Sequence, residues 1–116
     1  MSITTAIDRL AAAQDRLDEM KDALAADLAA DPGAFDSERI AKAANAIAAQ
    51  EGTIRVLAVL AKLKANYASD EAIQRALLRE ALRVPDDQWS GRANDVRRAY
   101  ADGHREALDN AMWDLP

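Results

Sequence analysis

The sequence predicts an all-α protein: a long antiparallel helical hairpin followed by two shorter C-terminal helices. Three observations carry this expectation. Of 116 residues, 28 are alanine and only 4% are aromatic, a composition rich in helix propensity and poor in the β-branched and aromatic residues that strands favour. No stretch alternates apolar and polar residues over strand length. Apolar residues recur at a spacing of seven over the first two-thirds of the chain, the signature of one helix face repeatedly turned to a neighbour.

The first helix runs from about residue 3 to Ala30, with Ser2, Thr4 or Thr5 as candidate caps. Ile3, Leu10, Leu17 and Leu24 form one row; Ile7 and Leu28 form a companion row interrupted by Gln14 and Lys21. Asp8, Arg9, Asp15, Arg16, Asp18, Glu19 and Asp22 mark the wet face. Asp31-Pro32-Gly33 stops the helix, and Asp36 or Ser37 caps the next one. So short a loop makes the two helices antiparallel neighbours.

The second helix is expected over Ser37–Tyr67. Ile40, Ile47, Ile54 and Ala61 form one stripe; Val56, Leu60, Leu63 and Tyr67 add a second. A helix apolar on two sides needs more than one neighbour, so the C-terminal third, another subunit or both must cover Ile54–Tyr67. Ile54, Leu57, Leu60, Leu63 and Tyr67 are therefore candidate self-association residues.

Ser69-Asp70-Glu71 reads as a helix cap with an acidic first turn. The third helix runs to about Arg83, with Ile73, Leu77 and Ala81, and with them Leu78 and Leu82, as its inward side. Val84-Pro85 ends it, and a connector to Gly91 contains Trp89. The last helix spans about Arg92 to Trp113. Val96, Tyr100, Ala107 and Ala111 lie along one side, with Leu108, Met112 and Leu115 beside them. Gly103 interrupts it, at a close packing point, a kink or a weak spot. Tyr67, Trp89, Tyr100 and Trp113 are expected to gather at the open end of the hairpin. Trp89, Trp113 and Leu115 are candidate partner-docking residues, and the tail either folds back or waits for a partner.

The net charge of −5 is uneven: residues 1–36 carry −5, residues 37–83 carry +3 and residues 84–116 carry −3. Arg75, Arg79 and Arg83, spaced by four, form a basic row on the third helix, with Arg92, Arg97 and Arg98 beyond it. These six are the candidate contacts for nucleic acid or an acidic partner. The overall acidity makes DNA contact by a monomer weak.

Catalytic chemistry finds little support. There is no cysteine, and the four glycines at 33, 52, 91 and 103 form no phosphate-binding loop. His104, the one histidine, is expected on a wet helix face, with no nucleophile to serve and no ligand spacing for a metal around it. The sequence is read as a non-enzyme with no cofactor. No apolar run approaches membrane-spanning length, and the N-terminus lacks an apolar signal core, so a cytoplasmic protein without membrane contact is expected.

The hairpin of residues 3–67, apolar on two sides and followed by a small C-terminal region, resembles the oligomerisation core of phage-type small terminase subunits. The resemblance is architectural. It implies hairpins packed side by side into a ring that presents viral DNA to a larger motor protein, often through a C-terminal segment. It also departs from the family's pattern, since no separate N-terminal DNA-binding domain is present; DNA contact would fall to the basic row. The expected function is thus a non-catalytic, oligomerising adaptor that docks a larger machine. The alternative is a small acidic phage-encoded inhibitor of the anti-defence type, acting alone by blocking a nucleic-acid-binding surface.

Overall fold

The computed structural model of the chain describes residues 3–30, 37–83 and 92–113; the side chains of residues 3, 4, 37, 83, 92–94 and 113 lie outside that description. The fold is all-α, with helices α1 (Ile3–Ala30), α2 (Ser37–Ala65), α3 (Asp70–Arg83) and α4 (Arg92–Trp113). The proposed stop at Asp31-Pro32-Gly33 and the 84–91 connector lie outside the described residues, as do Phe35, Trp89 and Leu115.

Helix α2 is the axis of the molecule. α1 packs on one side of it and α4, more extensively, on another, while α3 lies against both α2 and α4. This is the two-sided cover that the apolar second half of α2 demands. The core lies where α2, α3 and α4 meet: Val56 and Leu60 from α2, Ile73 and Leu77 from α3, Ala107, Leu108 and Ala111 from α4, with Leu63, Ala68 and Met112 packed against them. Leu60 is thus buried inside the chain, which removes it from the expected self-association surface.

α1 runs antiparallel to α2. Gln50 Nε2 donates to the Ala13 carbonyl at 3.0 Å, and Arg39 pairs with Asp27 at 2.7 Å. Leu10, Leu17 and Leu24 of the expected row are half-buried on the packed side of α1, but their companion row differs from the expected one. Ala6 and Ala13 are buried and Met20 is half-buried, whereas Ile7 and Leu28 are 50% and 44% exposed. The two possible companion rows have the same period; alanine beside the leucines lets the two backbones approach, which isoleucine and leucine in its place would hold apart.

The turn between α2 and α3 explains a second difference. α2 ends at Ala65, not at Tyr67. Tyr67 N–H donates to Lys64 O at 3.1 Å and Ala68 N–H to Leu63 O at 3.0 Å, the paired bonds of a Schellman helix end. Tyr67 occupies its left-handed position, with φ 56°, and its side chain is 94% exposed. It therefore closes no aromatic cluster. Ser69 caps α3 as its sequence suggests, its Oγ accepting from Ala72 N–H at 3.2 Å. Left-handed geometry costs a non-glycine residue about 1 kcal/mol, and the exposed ring makes no packing to offset it. Tyr67→Gly should therefore stabilise the fold by about 1 kcal/mol and raise the melting temperature by about 4 °C or more. A lower melting temperature would refute this account of the turn.

On α3 the inward face is also revised. Ile73 and Leu77 are buried, but the third inward position is Glu80, 5% exposed; Leu78 and Leu82 are 54% and 86% exposed, and Ala81 also faces out. On α4, Ala107, Leu108 and Ala111 are buried and Val96 is 38% exposed.

Candidate functional site

Among the described residues, α2 and α4 cross with their backbones in direct contact, and two glycines make that approach possible. A Cβ added at Gly103 would strike the Ala49 carbonyl oxygen and come within 2.7 Å of its carbonyl carbon and 2.8 Å of its Cα. One added at Gly52 would strike the Tyr100 carbonyl oxygen and lie 2.8 Å from the His104 nitrogen. Backbone meets backbone on both sides, so any side chain at either position forces the helices apart. Thr53 Oγ1 sits in the same seam, 3.2 Å from Ala49 O and 3.4 Å from Gly103 O. Of the three readings open for Gly103, close packing is the one realised.

This approach carries His104 into the interior. Its side chain is 2% exposed, against the expectation of a wet surface histidine. His104 Nε2 lies 3.2 Å from Glu80 Oε2 on α3, and its ring stacks on Tyr100 with centroids 6.2 Å apart and planes at 21°. Arg55 on α2 completes the set, donating from Nε to Glu80 Oε2 at 3.2 Å and from a terminal nitrogen to Oε1 at 2.9 Å. The fork geometry of a guanidinium matches both carboxylate oxygens at once.

One carboxylate thus ties three helices. Since an ionised Glu80 only accepts, the imidazole nitrogen facing it must carry a proton. The hydrogen bond to Glu80 is the main cause that raises the Arg55 pKa above its ordinary value, against a smaller opposing effect of burial, with the nearby charges of Glu80 and Tyr100 adding to the rise. The sign is that of a cation gaining a partner: its stabilisation is fully present below the unfolded pKa and is lost only as the pH climbs through the raised folded value. For an arginine that window lies above the pH range in which proteins are handled. The half of the link that Arg55 supplies therefore persists across neutral pH.

The residues singled out from the sequence are scattered around this network. Ile54 and Leu57 are half-buried on α2, and Leu63 packs against the core. Arg75 and Arg79 are exposed on α3, and Arg97 and Arg98 on α4. The side chains of Arg83, Arg92 and Trp113 lie outside the described residues. Glu80 and Arg55 were not candidates at all. A signal for Glu80 and His104 was present in the spacing: position 80 continues the 73–77 row, and position 104 fills the gap between Tyr100 and Ala107. A polar residue on an apolar row is a call for a buried partner.

Geometrically the set is a clamp. Glu80 already accepts three hydrogen bonds from Arg55 and His104, and among the described residues no group of three His, Asp or Glu side chains is arranged to hold a metal ion. No helix among the described residues is long and apolar enough to cross a membrane. Comparison with protein-family models, curated proteins and solved structures finds no match to this chain.

Proposed function

We propose that the protein is a non-catalytic helical adaptor that self-associates and docks a larger protein. The observation that supports this is surface left uncovered. The chain exposes 7814 Å², where a compact monomer of 12.6 kDa exposes about 6,200 Å². The excess, roughly 1,600 Å² on one chain, is about twice the area that each partner contributes to a standard protein–protein contact. The shape agrees: the radius of gyration is 16.3 Å, against about 13 Å for a compact domain of this length. The principal extents are 54 × 33 × 18 Å, a flat shape. Large apolar side chains stand exposed on it, Ile7 and Leu28 on α1 and Leu78 and Leu82 on α3. A DNA-packaging machine is the larger partner proposed, on the resemblance that the sequence of residues 3–67 bears to small terminase subunits.

Sedimentation velocity on the full chain tests the reading. A defined oligomer at micromolar concentration is the expected result. A single 12.6 kDa species at up to about 100 μM would overturn it, since a dissociation constant above that corresponds to less than about 5.5 kcal/mol of association. That result would favour the lone acidic inhibitor.

A further inference from the structure

We infer that copies of this chain associate head to tail, the outer side of α3 in one copy seating on the outer side of α1 in the next; this rests on the self-association proposed above and names its interface. The two surfaces are complementary in charge and in relief. α3 buries Ile73, Leu77 and Glu80, so at 100° per residue its opposite pole carries Arg75, Leu78, Arg79 and Leu82, all exposed. Glu71, at its first turn, is the acidic group on that pole. α1 buries Ala6, Ala13 and the half-buried Leu10, Leu17 and Leu24. Its opposite pole carries Asp8, Asp15, Asp18, Glu19 and Asp22, all exposed, with no basic residue among them; Arg9 and Arg16 lie to one flank and Lys21 to the other. Between and beyond the carboxylates the surface is alanine, at 11, 12, 25 and 26.

The two faces also match in length. The acidic stripe from Asp8 to Asp22 and the 14-residue helix α3 each span about 21 Å at 1.5 Å per residue. Two leucines and two arginines on one face meet an alanine floor lined with carboxylates on the other. Leucine side chains fill the relief that alanines leave, and guanidinium groups reach the flanking acids.

The same poles argue against a two-fold dimer. A symmetric contact pairs a patch with itself, which sets Arg75 and Arg79 against a second arginine pair on α3, or five carboxylates against five on α1. Like charges face to face are strongly unfavourable. A heterologous contact avoids both. Within one chain α1 packs on α2 alone among the described elements, and α3 packs on α2 and α4, so both poles remain open in a single copy. Repetition of such a contact closes into a ring or runs on as a filament, according to the rotation between copies.

The test uses two full-length variants and their mixture. Arg75→Glu/Arg79→Glu reverses the α3 face; Asp15→Lys/Glu19→Lys/Asp22→Lys reverses the α1 face. All five side chains are exposed, so circular dichroism should show unchanged helix content. Each variant alone should associate about a hundredfold more weakly than the wild type and sediment as a monomer where the wild type is assembled. An equimolar mixture should reassemble, because every contact in it can pair faces of opposite sign. An assembled wild type with either variant still assembled, or with a mixture that stays monomeric, overturns the head-to-tail interface and leaves self-association standing. A monomeric wild type overturns both. An α3 variant that keeps its oligomer but loses binding to a DNA duplex assigns the basic face to nucleic acid and refutes the interface.

Discussion

Gly103→Ala should destabilise the protein by about 3 kcal/mol, the upper part of the range for overpacking a close contact. The sign is what makes the result informative. In an exposed helix the same change stabilises by about 1 kcal/mol, because alanine loses less backbone freedom than glycine. Here the new methyl meets the carbonyl group and Cα of Ala49, and backbone atoms of a helix cannot rotate aside as a side chain can. The crossing must open, and with it the contact that sets His104 against Glu80. For a chain of 116 residues the loss corresponds to a fall of roughly 10 °C in melting temperature, readable by thermal or urea denaturation. Gly52→Ala should act alike, since its methyl meets the backbone of Tyr100 and His104. The double variant should cost less than the two singles together, because helices parted by one methyl already accommodate the second. An unchanged or raised melting temperature for Gly103→Ala would mean that the helices do not cross at this distance.

Glu80→Ala should cost about 3 kcal/mol, the scale for removing one partner of a buried charged group. It strips His104, 2% exposed, of the acceptor for its ring N–H and leaves a space where three helices meet. Arg55→Ala should cost much less, about 1 kcal/mol, because the Arg55 side chain is 41% exposed, water can replace part of it, and His104 still donates to the carboxylate. The double variant Arg55→Ala/Glu80→Ala should fall near Glu80→Ala alone, as the arginine has then already lost its partner. Urea denaturation of the three variants gives the cycle. Equal costs for Arg55→Ala and Glu80→Ala would contradict the picture of a carboxylate buried at the centre with an arginine at its rim.

Much of the fold was legible in the residues themselves. The helices observed over Ile3–Ala30, Asp70–Arg83 and Arg92–Trp113 follow from alanine-rich periodic stretches, and Ser69 works as a cap because a serine hydroxyl satisfies a first-turn N–H wherever it stands in that position. The need for a second neighbour along Val56 and Leu60 was likewise a local fact, written in apolar residues on two sides of one helix. These properties depend on neighbours within a few positions in the chain, and only the far end of α2 was misjudged, where Tyr67 takes a conformation that glycine normally supplies.

What only the tertiary structure decided is which of two adjacent rows is buried and which polar residues go with it. On α1 the rows through Ala6 and Ile7 have the same period, and their burial was settled by how near α2 can come. On α4 a glycine could have been a kink; it is a contact because the backbone of Ala49, 54 positions earlier, packs directly against it, while Gly52 one turn further along α2 leaves the same room for Tyr100 and His104. Glu80 and His104 look solvated in isolation, since burying a carboxylate or an imidazole alone is costly. They are buried because Arg55, 25 residues away from Glu80, and His104, 24 residues away, bring hydrogen bonds that replace water. Periodicity reports which residues share a face; the partner that makes a face worth burying comes from a distant part of the chain, and its presence is a property of the packed molecule.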